Sequence, residues 1–145
     1  MYIKQISVYL ENVRGTLREM TKLLAENDID IMALSIADTT SFGIVRIIVR
    51  ESSIERAVKS MKEAGFMVKT SDVICVCVPN KPAGLDSVLG ILDEVDISIE
   101  YMYSFNYSVN GDALLILRLS NNEKVIELLQ EKNIKIYTQE EVNKL

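Results

Sequence analysis

The sequence has no histidine and no tryptophan, and only two cysteines and two prolines among its 145 residues. Histidine carries most acid–base chemistry near pH 7, so its absence excludes Ser-His-Asp and Cys-His catalytic sites. Cys75 and Cys77 are too few thiols for a structural zinc site, and their C-x-C spacing differs from the C-x-x-C of redox proteins. We therefore interpret both cysteines as small buried residues in a reducing compartment.

Positive charge and long apolar runs are also scarce. Lys and Arg number 16 against 21 Asp and Glu, a net charge of -5, and an acidic chain without a basic block is a poor candidate for binding nucleic acid or an anionic membrane. No apolar run approaches the roughly 20 residues of a membrane span. The residues after Met1 lead directly into a strand-like pattern rather than a signal peptide. We expect a cytoplasmic protein with no nucleic-acid or membrane partner.

An internal repeat organises the chain. Displaced by 68 positions, the sequence aligns with itself without a gap from residue 4 to its end. The identical pairs include Asn12 with Asn80, Leu17 with Leu85, and Ile29 with Ile97. A gapless register in which turn residues and apolar positions coincide indicates a duplication. We expect two domains, residues 1–70 and 71–145, joined by a linker at residues 70–72.

Each copy has the pattern strand, helix, strand, strand, helix, strand, which is typical of the ferredoxin-like βαββαβ arrangement. Leu17 and Leu85 each begin the apolar face of a first helix, which predicts that both are core residues. Asn110-Gly111 between two strand patterns predicts a hairpin turn. Ser52-x-x-Glu55 and Ser120-x-x-Glu123 predict capping boxes at the start of the second helices.

The loops before the first helices carry a resemblance to a known family. The second copy reads Asn80-Lys81-Pro82-Ala83-Gly84-Leu85 and, after a helix, Asp96-Ile97-Ser98-Ile99. The first copy has Asn12-Val13-Arg14-Gly15-Thr16-Leu17 and Asp28-Ile29-Asp30-Ile31 at the matching positions. These segments resemble the N-x-P-G-x-L loop and the G-I-N-I strand start of the ACT domain. The resemblance covers nearly the whole chain and points to a free-standing tandem ACT protein.

The resemblance implies an α+β fold and a function. Two ferredoxin-like units are expected to pack side by side, through their second strands and first helices, into an eight-stranded antiparallel sheet with helices on one face. A small ligand, usually an amino acid, is expected where the first loop of one unit faces the second strand of the other. The implied protein is a non-enzymatic regulator; we also expect a homodimer, and an enzyme partner is left open.

The ligand-binding residues that the resemblance implies lie in the two loops and at the two strand starts. Asn12 and Asn80 match the loop Asn of the family, and an amide both donates and accepts, as a zwitterion requires. Gly15 and Gly84 match the loop glycine, which lets the backbone approach a ligand, but they are offset by one position between the copies. The full set is Asn12, Val13, Arg14, Gly15, Thr16 and Asp30 in the first copy, and Asn80, Lys81, Pro82, Ala83, Gly84, Leu85 and Ser98 in the second.

The same loop residues have simpler interpretations. Asn12 and Asn80 equally suit turns that bind nothing, and Arg14 and Lys81 suit solvated surface positions. Asp30 could bind an ammonium group or repel a carboxylate, so the two sites need not be equivalent.

The aromatic residues Tyr101, Tyr103, Phe105 and Tyr107 alternate along one strand and so share a face. Core packing or a protein interface explains them better than a nucleotide-stacking platform, given the acidic charge.

Two other function classes compete with ligand binding. A docking subunit that binds a partner but no ligand is the main alternative. An enzyme on a ferredoxin-like scaffold is the other, but neither loop has the basic phosphate-cradling sequence of an acylphosphatase. The G-x-G-x-x-G and Walker spacings are absent, and no oxygen-rich constellation suggests a metal. We expect no catalytic residue, no cofactor and no metal.

Overall fold

The structure is a computed structural model that describes residues 1–38 and 41–145. It divides into two compact units. One is Lys4–Ser71, here called the first unit, and the other joins Met1–Ile3 to Asp72–Leu145 and is called the second unit. Each is an α+β unit with a ferredoxin-like order of strands and helices.

The first unit is built around a central strand. Its elements are β1 (Ile3–Glu11), α1 (Thr16–Glu26), β2 (Ala33–Asp38), β3 (Phe42–Ile48), α2 (Glu51–Glu63) and the first part of β4 (Met67–Val78). Strand β3 pairs antiparallel with both β1 and β2, so that Val45 lies opposite Val8 on one side and Ile36 on the other. The apolar residues of β3 suit this central position.

The second unit repeats this plan and adds a short helix at its end. Its elements are the rest of β4, α3 (Gly84–Asp93), β5 (Ile99–Val109), β6 (Asp112–Leu119), α4 (Asn122–Glu131), β7 (Ile136–Tyr137) and α5 (Gln139–Val142). Strand β6 lies between β4 and β5, and β7 pairs with β4. Asn110 and Gly111 form the turn between β5 and β6 with φ of 53° and 87°, the left-handed values of a type I′ turn. The hairpin prediction is confirmed.

In each unit both long helices pack on one face of the strands. Alternate residues of a strand point to the same face. On one face, apolar residues of β1 pack against α1 and α2, and apolar residues of β4 pack against α3 and α4. In the first unit this core contains Ile6, Val8, Leu10, Met20, Leu24, Ala57 and Met61. In the second unit it contains Ile74, Val76, Val78, Val88, Leu92, Val125 and Leu129.

The backbone repeats the 68-residue register of the sequence. Left-handed φ values recur in aligned pairs. They are Gly15 (95°) with Ala83 (65°), Asp28 with Asp96 (both 54°), and Gly65 (89°) with Asn133 (58°). Such values are uncommon outside glycine, so three coincident pairs support a duplication of one fold.

The predicted number of strands is wrong by one. The expected last strand of the first copy and first strand of the second are one strand, β4, which runs through residues 70–72. No glycine or proline interrupts the sequence between Met67 and Val78, so no residue there ends the strand. The described residues therefore contain seven strands rather than eight.

Neither predicted capping box forms. Helix α2 begins at Glu51, so Ser52 lies inside it, and no side chain caps it. Helix α4 is capped instead by Asn121, whose side chain accepts a hydrogen bond from the Lys124 N–H at 3.1 Å, since Asn is at least as good an N-cap as Ser.

A capping box is present at α5. The Glu141 N–H donates to Thr138 Oγ1 at 3.3 Å, and the Thr138 N–H donates to the Glu141 carboxylate at 2.8 Å.

The aromatic residues of β5 do not form one uniform face. The pairing of β5 with β6 is irregular between Ser104 and Ser108, so the two-residue alternation is disturbed there. Phe105 is buried, whereas Tyr107 is 38% exposed. For Phe105 this supports the core-packing interpretation.

The α5 capping box predicts a pH-dependent stability. The pKa of Glu141 is lowered from 4.5 to about 2, first by the hydrogen bond from the Lys135 side chain and then by the Thr138 N–H. Because the folded pKa lies below the ordinary one, the carboxylate stabilises the fold above the ordinary pKa, and this is lost as the pH falls towards 2. We expect Glu141→Gln to lower the free energy of unfolding at neutral pH, as measured by urea denaturation. The difference from wild type should shrink as the pH falls from 4.5 towards 2.

Glu140→Gln is the control, because Glu140 lies on the same helix but forms only an exposed pair with Lys144, and its loss should have a much smaller effect. Equal effects of the two variants at every pH would contradict the prediction.

Candidate functional site

The first loop, residues 12–15, turns the chain from β1 into α1. The Val13 carbonyl accepts hydrogen bonds from Thr16 Oγ1 at 2.8 Å and from the Thr16 N–H at 3.3 Å. Gly15 stands immediately before α1 with φ of 95°, and no side chain caps the helix. Glycine takes this left-handed conformation without a steric penalty. The start of α1 is therefore held by the backbone and by the Thr16 hydroxyl, without a side-chain N-cap.

Asn12 connects this loop to the ends of β2 and β3. Its Nδ2 donates to both carboxylate oxygens of Asp38, at 3.2 and 3.1 Å. Its backbone N–H donates to the Ser41 carbonyl at 3.1 Å. The loop Asn thus has a side-chain partner with a negative charge.

Asp38 is a residue that the sequence analysis missed. It meets Asn12 because the register of β3 places Gly43 opposite both Leu10 and Asp38. The available signal was a carboxylate directly after the strand-like pattern of residues 29–37.

A cavity of about 230 Å³ opens beside the first loop. It is smaller than the roughly 300–1,000 Å³ of sites for drug-sized ligands, which suits a molecule of amino-acid size. Its described lining has five aliphatic residues, two carboxylates, and no Lys or Arg. The lining residues are Leu10, Glu11, Asn12, Val13, Thr16, Leu17, Ile36, Asp38, Gly43 and Val45.

Three of the aliphatic side chains that line this cavity are exposed to solvent. Val13 is 60% exposed and Ile36 is 50% exposed. Leu17 is 38% exposed, and its counterpart Leu85 is 39% exposed. The prediction that Leu17 and Leu85 are core residues is therefore wrong: both lie in the first turn of their helices, and Leu17 faces the cavity rather than the strands.

The second loop has a different backbone. The Pro79 carbonyl accepts from the Lys81 N–H at 2.9 Å, and the Lys81 carbonyl accepts from the Gly84 N–H at 3.0 Å. Ala83, not glycine, takes the left-handed position, with φ of 65°. A Cβ on Gly84 would lie 2.0 Å from the Pro79 oxygen. The offset glycines thus have different roles, since Gly15 permits a left-handed φ and Gly84 permits a close approach of α3 to Pro79.

The side chains of the second loop are open to solvent. Asn80, Lys81, Pro82 and Leu85 are all exposed. In the part of the chain that the structure describes, the Asn80 side chain has no hydrogen-bond partner comparable to Asp38.

Arg14 of the first loop is also exposed and is not among the lining residues of the cavity. The two loops therefore differ in the polar groups that they present.

The strand-start residues lie away from the loops of their own units. Strand β2 runs from Ala33, opposite Ile48, to Asp38, opposite Gly43, so Asp30 is at the far end of β2 from Asn12. Ser98 precedes β5, and its carbonyl accepts a hydrogen bond from the Ser120 N–H at 3.0 Å. Within a single unit the structure does not bring Asp30 or Ser98 to a loop site. Their role in ligand binding stays a prediction.

The two cysteines have environments that disfavour thiolates. Cys75 is buried, and this burial raises the pKa of its thiol. Cys77 is half-buried, and burial first, then Asp112, raises the pKa of its thiol. Because the thiolate is the reactive form, both groups are held in the less reactive state.

Residues 1–38 and 41–145 contain no group of three His, Cys, Asp or Glu side chains placed to hold a metal ion. None of the helices in that part of the chain has the length and apolar character that crossing a bilayer requires.

These features define a tandem of ferredoxin-like units with a loop-side cavity of amino-acid size. Residues 1–145 match the family described as the ACT domain pair. The chain belongs to this family, which confirms the resemblance that the two loops and strand starts indicated. No curated protein matches the chain.

Solved structures share the fold. Protein BT0572 from Bacteroides thetaiotaomicron is 40% identical, with 100% of this chain and 98% of that chain covered and a TM-score of 0.90. The regulatory subunit of aspartate kinase from Thermus thermophilus is 14% identical, with 88% and 91% covered and a TM-score of 0.62. Escherichia coli aspartokinase III, in complex with lysine and aspartate, is 15% identical, with 90% and 30% covered and a TM-score of 0.54. The last two are similar in fold alone.

The two glycines of α3 predict opposite effects on stability. Gly84→Ala should lower the free energy of unfolding by about 1–3 kcal/mol, because the added methyl group meets the Pro79 carbonyl, which is backbone and cannot rotate away. Gly90→Ala, in the same helix with no atom within 4 Å of its Cβ position, should raise it by about 0.5–1 kcal/mol. Urea denaturation of both variants measures this. A stable Gly84→Ala protein would contradict the close approach of α3 to Pro79.

Proposed function

We propose that this protein is a non-enzymatic regulator that binds an amino acid in the cavity beside Asn12. The observation that carries the proposal is that one cavity contains both the start of α1 and a carboxylate, Asp38. The first N–H groups of a helix have no partners within the helix and carry partial positive charge. In α1 the Thr16 N–H is already bonded to the Val13 carbonyl, outside the helix. The helix start suits an α-carboxylate, and Asp38 suits an α-ammonium group.

Asn12 supports this arrangement from the side. Its Nδ2 donates hydrogen bonds to both oxygens of Asp38, which orients that carboxylate. The Asn12 amide oxygen is then the group that accepts from a ligand. Thr16 and Leu17, from the first turn of α1, complete the opposite wall.

Membership of the ACT domain pair family supports the regulatory part of the proposal. A regulatory subunit of aspartate kinase has the same fold, and an aspartokinase that shares it was solved with two amino acids bound. By analogy, this protein would control an enzyme outside the chain, which is an inference from the fold. The homodimer, the cytoplasmic setting and the side-by-side packing of two units, with a ligand where they meet, belong to this proposal as predictions.

A specific observation favours the docking subunit as the second candidate. A cavity of about 410 Å³ adjoins the first and is lined by Tyr9, Phe42 and Met67 among others. Phe42 is 58% exposed and Met67 is 70% exposed. Exposed large apolar side chains that cluster in this way mark interaction sites. This surface suits a protein partner rather than a small polar ligand.

Calorimetric titration of the protein with each of the twenty amino acids at millimolar concentration tests the proposal. We expect saturable heat from at least one amino acid. Asn12→Ala should abolish that heat, because it releases Asp38, whereas Asn80→Ala should retain it, because Asn80 has no matching carboxylate. Heat that persists in both variants would place the site elsewhere. No heat from any amino acid would favour the docking subunit.

A further inference from the structure

We propose that Asp38, at the end of β2, is the specificity-determining residue of the cavity beside the first loop. It binds the α-ammonium group and repels acidic side chains, so that the cavity prefers aliphatic amino acids to aspartate and glutamate, while the second loop does not share this chemistry. The inference rests on the proposed function and deepens it, because it names the ligand class and limits each chain to one such site.

The position of Asp38 supports the ammonium contact. The carboxylate is at the end of β2, where two hydrogen bonds from Asn12 fix its orientation at 3.2 and 3.1 Å. It lines the cavity together with Glu11, and no Lys or Arg is among the described lining residues. The described lining therefore has negative charge without a positive partner, and the ammonium group of a ligand would supply that partner.

The same lining indicates which side chains are accepted. The aliphatic side chains that line the cavity are those of Leu10, Val13, Leu17, Ile36 and Val45. Val13, Leu17 and Ile36 are exposed, and covering them with an aliphatic side chain is favourable. An acidic side chain would bring a third carboxylate beside Asp38 and Glu11, and like charges at close range repel. The cavity thus favours aliphatic amino acids and rejects aspartate and glutamate.

The second loop has different groups at the aligned positions. In the 68-residue register, Asn106 stands where the first copy has Asp38, and Pro79 stands where it has Glu11. Lys81 replaces Val13. The second copy thus lacks both carboxylates and adds an ammonium group, so it does not bind an α-ammonium group in the same way.

The decisive variant is Asp38→Asn, which gives the first copy the residue of the second. The change is isosteric at an exposed position, so the fold should persist. The probes are L-leucine, 4-methylpentanoate, which is leucine without its amino group, and L-glutamate. The comparison variant is Glu11→Gln, which removes the other carboxylate of the cavity. The control for net charge is Asp93→Asn, on an exposed residue of α3.

We expect wild type to bind leucine at least about tenfold more tightly than 4-methylpentanoate, the size of one charge-assisted hydrogen bond. Asp38→Asn should remove this preference by weakening leucine alone. Glu11→Gln should weaken leucine less, Asp93→Asn should keep the preference, and glutamate should bind wild type more weakly than leucine. Calorimetry should give one leucine per chain.

Each contrary result overturns a stated part of the inference. Equal weakening of leucine and 4-methylpentanoate by Asp38→Asn would show that Asp38 does not bind the ammonium group. An equal loss of the preference in Glu11→Gln would show that Asp38 is not the residue that determines it. Tighter binding of glutamate than of leucine would overturn the side-chain class, and two leucines per chain would overturn the difference between the loops. Absence of binding by all twenty amino acids would overturn the proposed function as well, whereas leucine binding that is insensitive to Asp38→Asn overturns only this inference.

Discussion

The position of β3 between β1 and β2 is the constraint on which the first loop depends. Because the side-chain period of a strand is two residues, a slip of one residue would turn Val8 and Val45 away from the helices. The buried apolar face therefore fixes the register, and the register in turn places the end of β2 beside the end of β1. The contact between Asn12 and Asp38 is a consequence of core packing several residues away.

Duplication has preserved the backbone requirements of the fold and changed its polar chemistry. Both copies need a left-handed residue before the first helix, and one uses Gly15 while the other uses Ala83. The left-handed backbone of an alanine is less favourable than that of a glycine, and the glycine of the second loop, Gly84, instead permits the close approach of α3 to Pro79. Backbone geometry is thus kept by different residues, while the carboxylate contact of Asn12 is found in the first loop alone among the described residues.

Local patterns predicted the order of elements, the Asn110-Gly111 turn and the family, because each depends on neighbours in sequence. The errors arise where two local signals compete or where pairing is long-range. Asn121 is nearer the start of α4 than Ser120, and it caps the helix in its place. Strand β4 continues through residues 70–72 because no residue there stops it. Asp38 belongs to the site only through the pairing of three strands, which no sequence window contains.

The two candidate functions meet on the same residues of the first unit. The ligand-sized cavity and the adjoining apolar one share Leu10, Glu11 and Thr16 in their linings. A ligand bound in the first cavity would therefore contact residues that also border the apolar surface beside Phe42. Such sharing couples the two binding events, because each ligand then has a different affinity for the protein with and without the other. Amino-acid binding would in that case regulate partner docking. A ligand that raises the affinity for the partner would recruit it, and a ligand that lowers this affinity would release it.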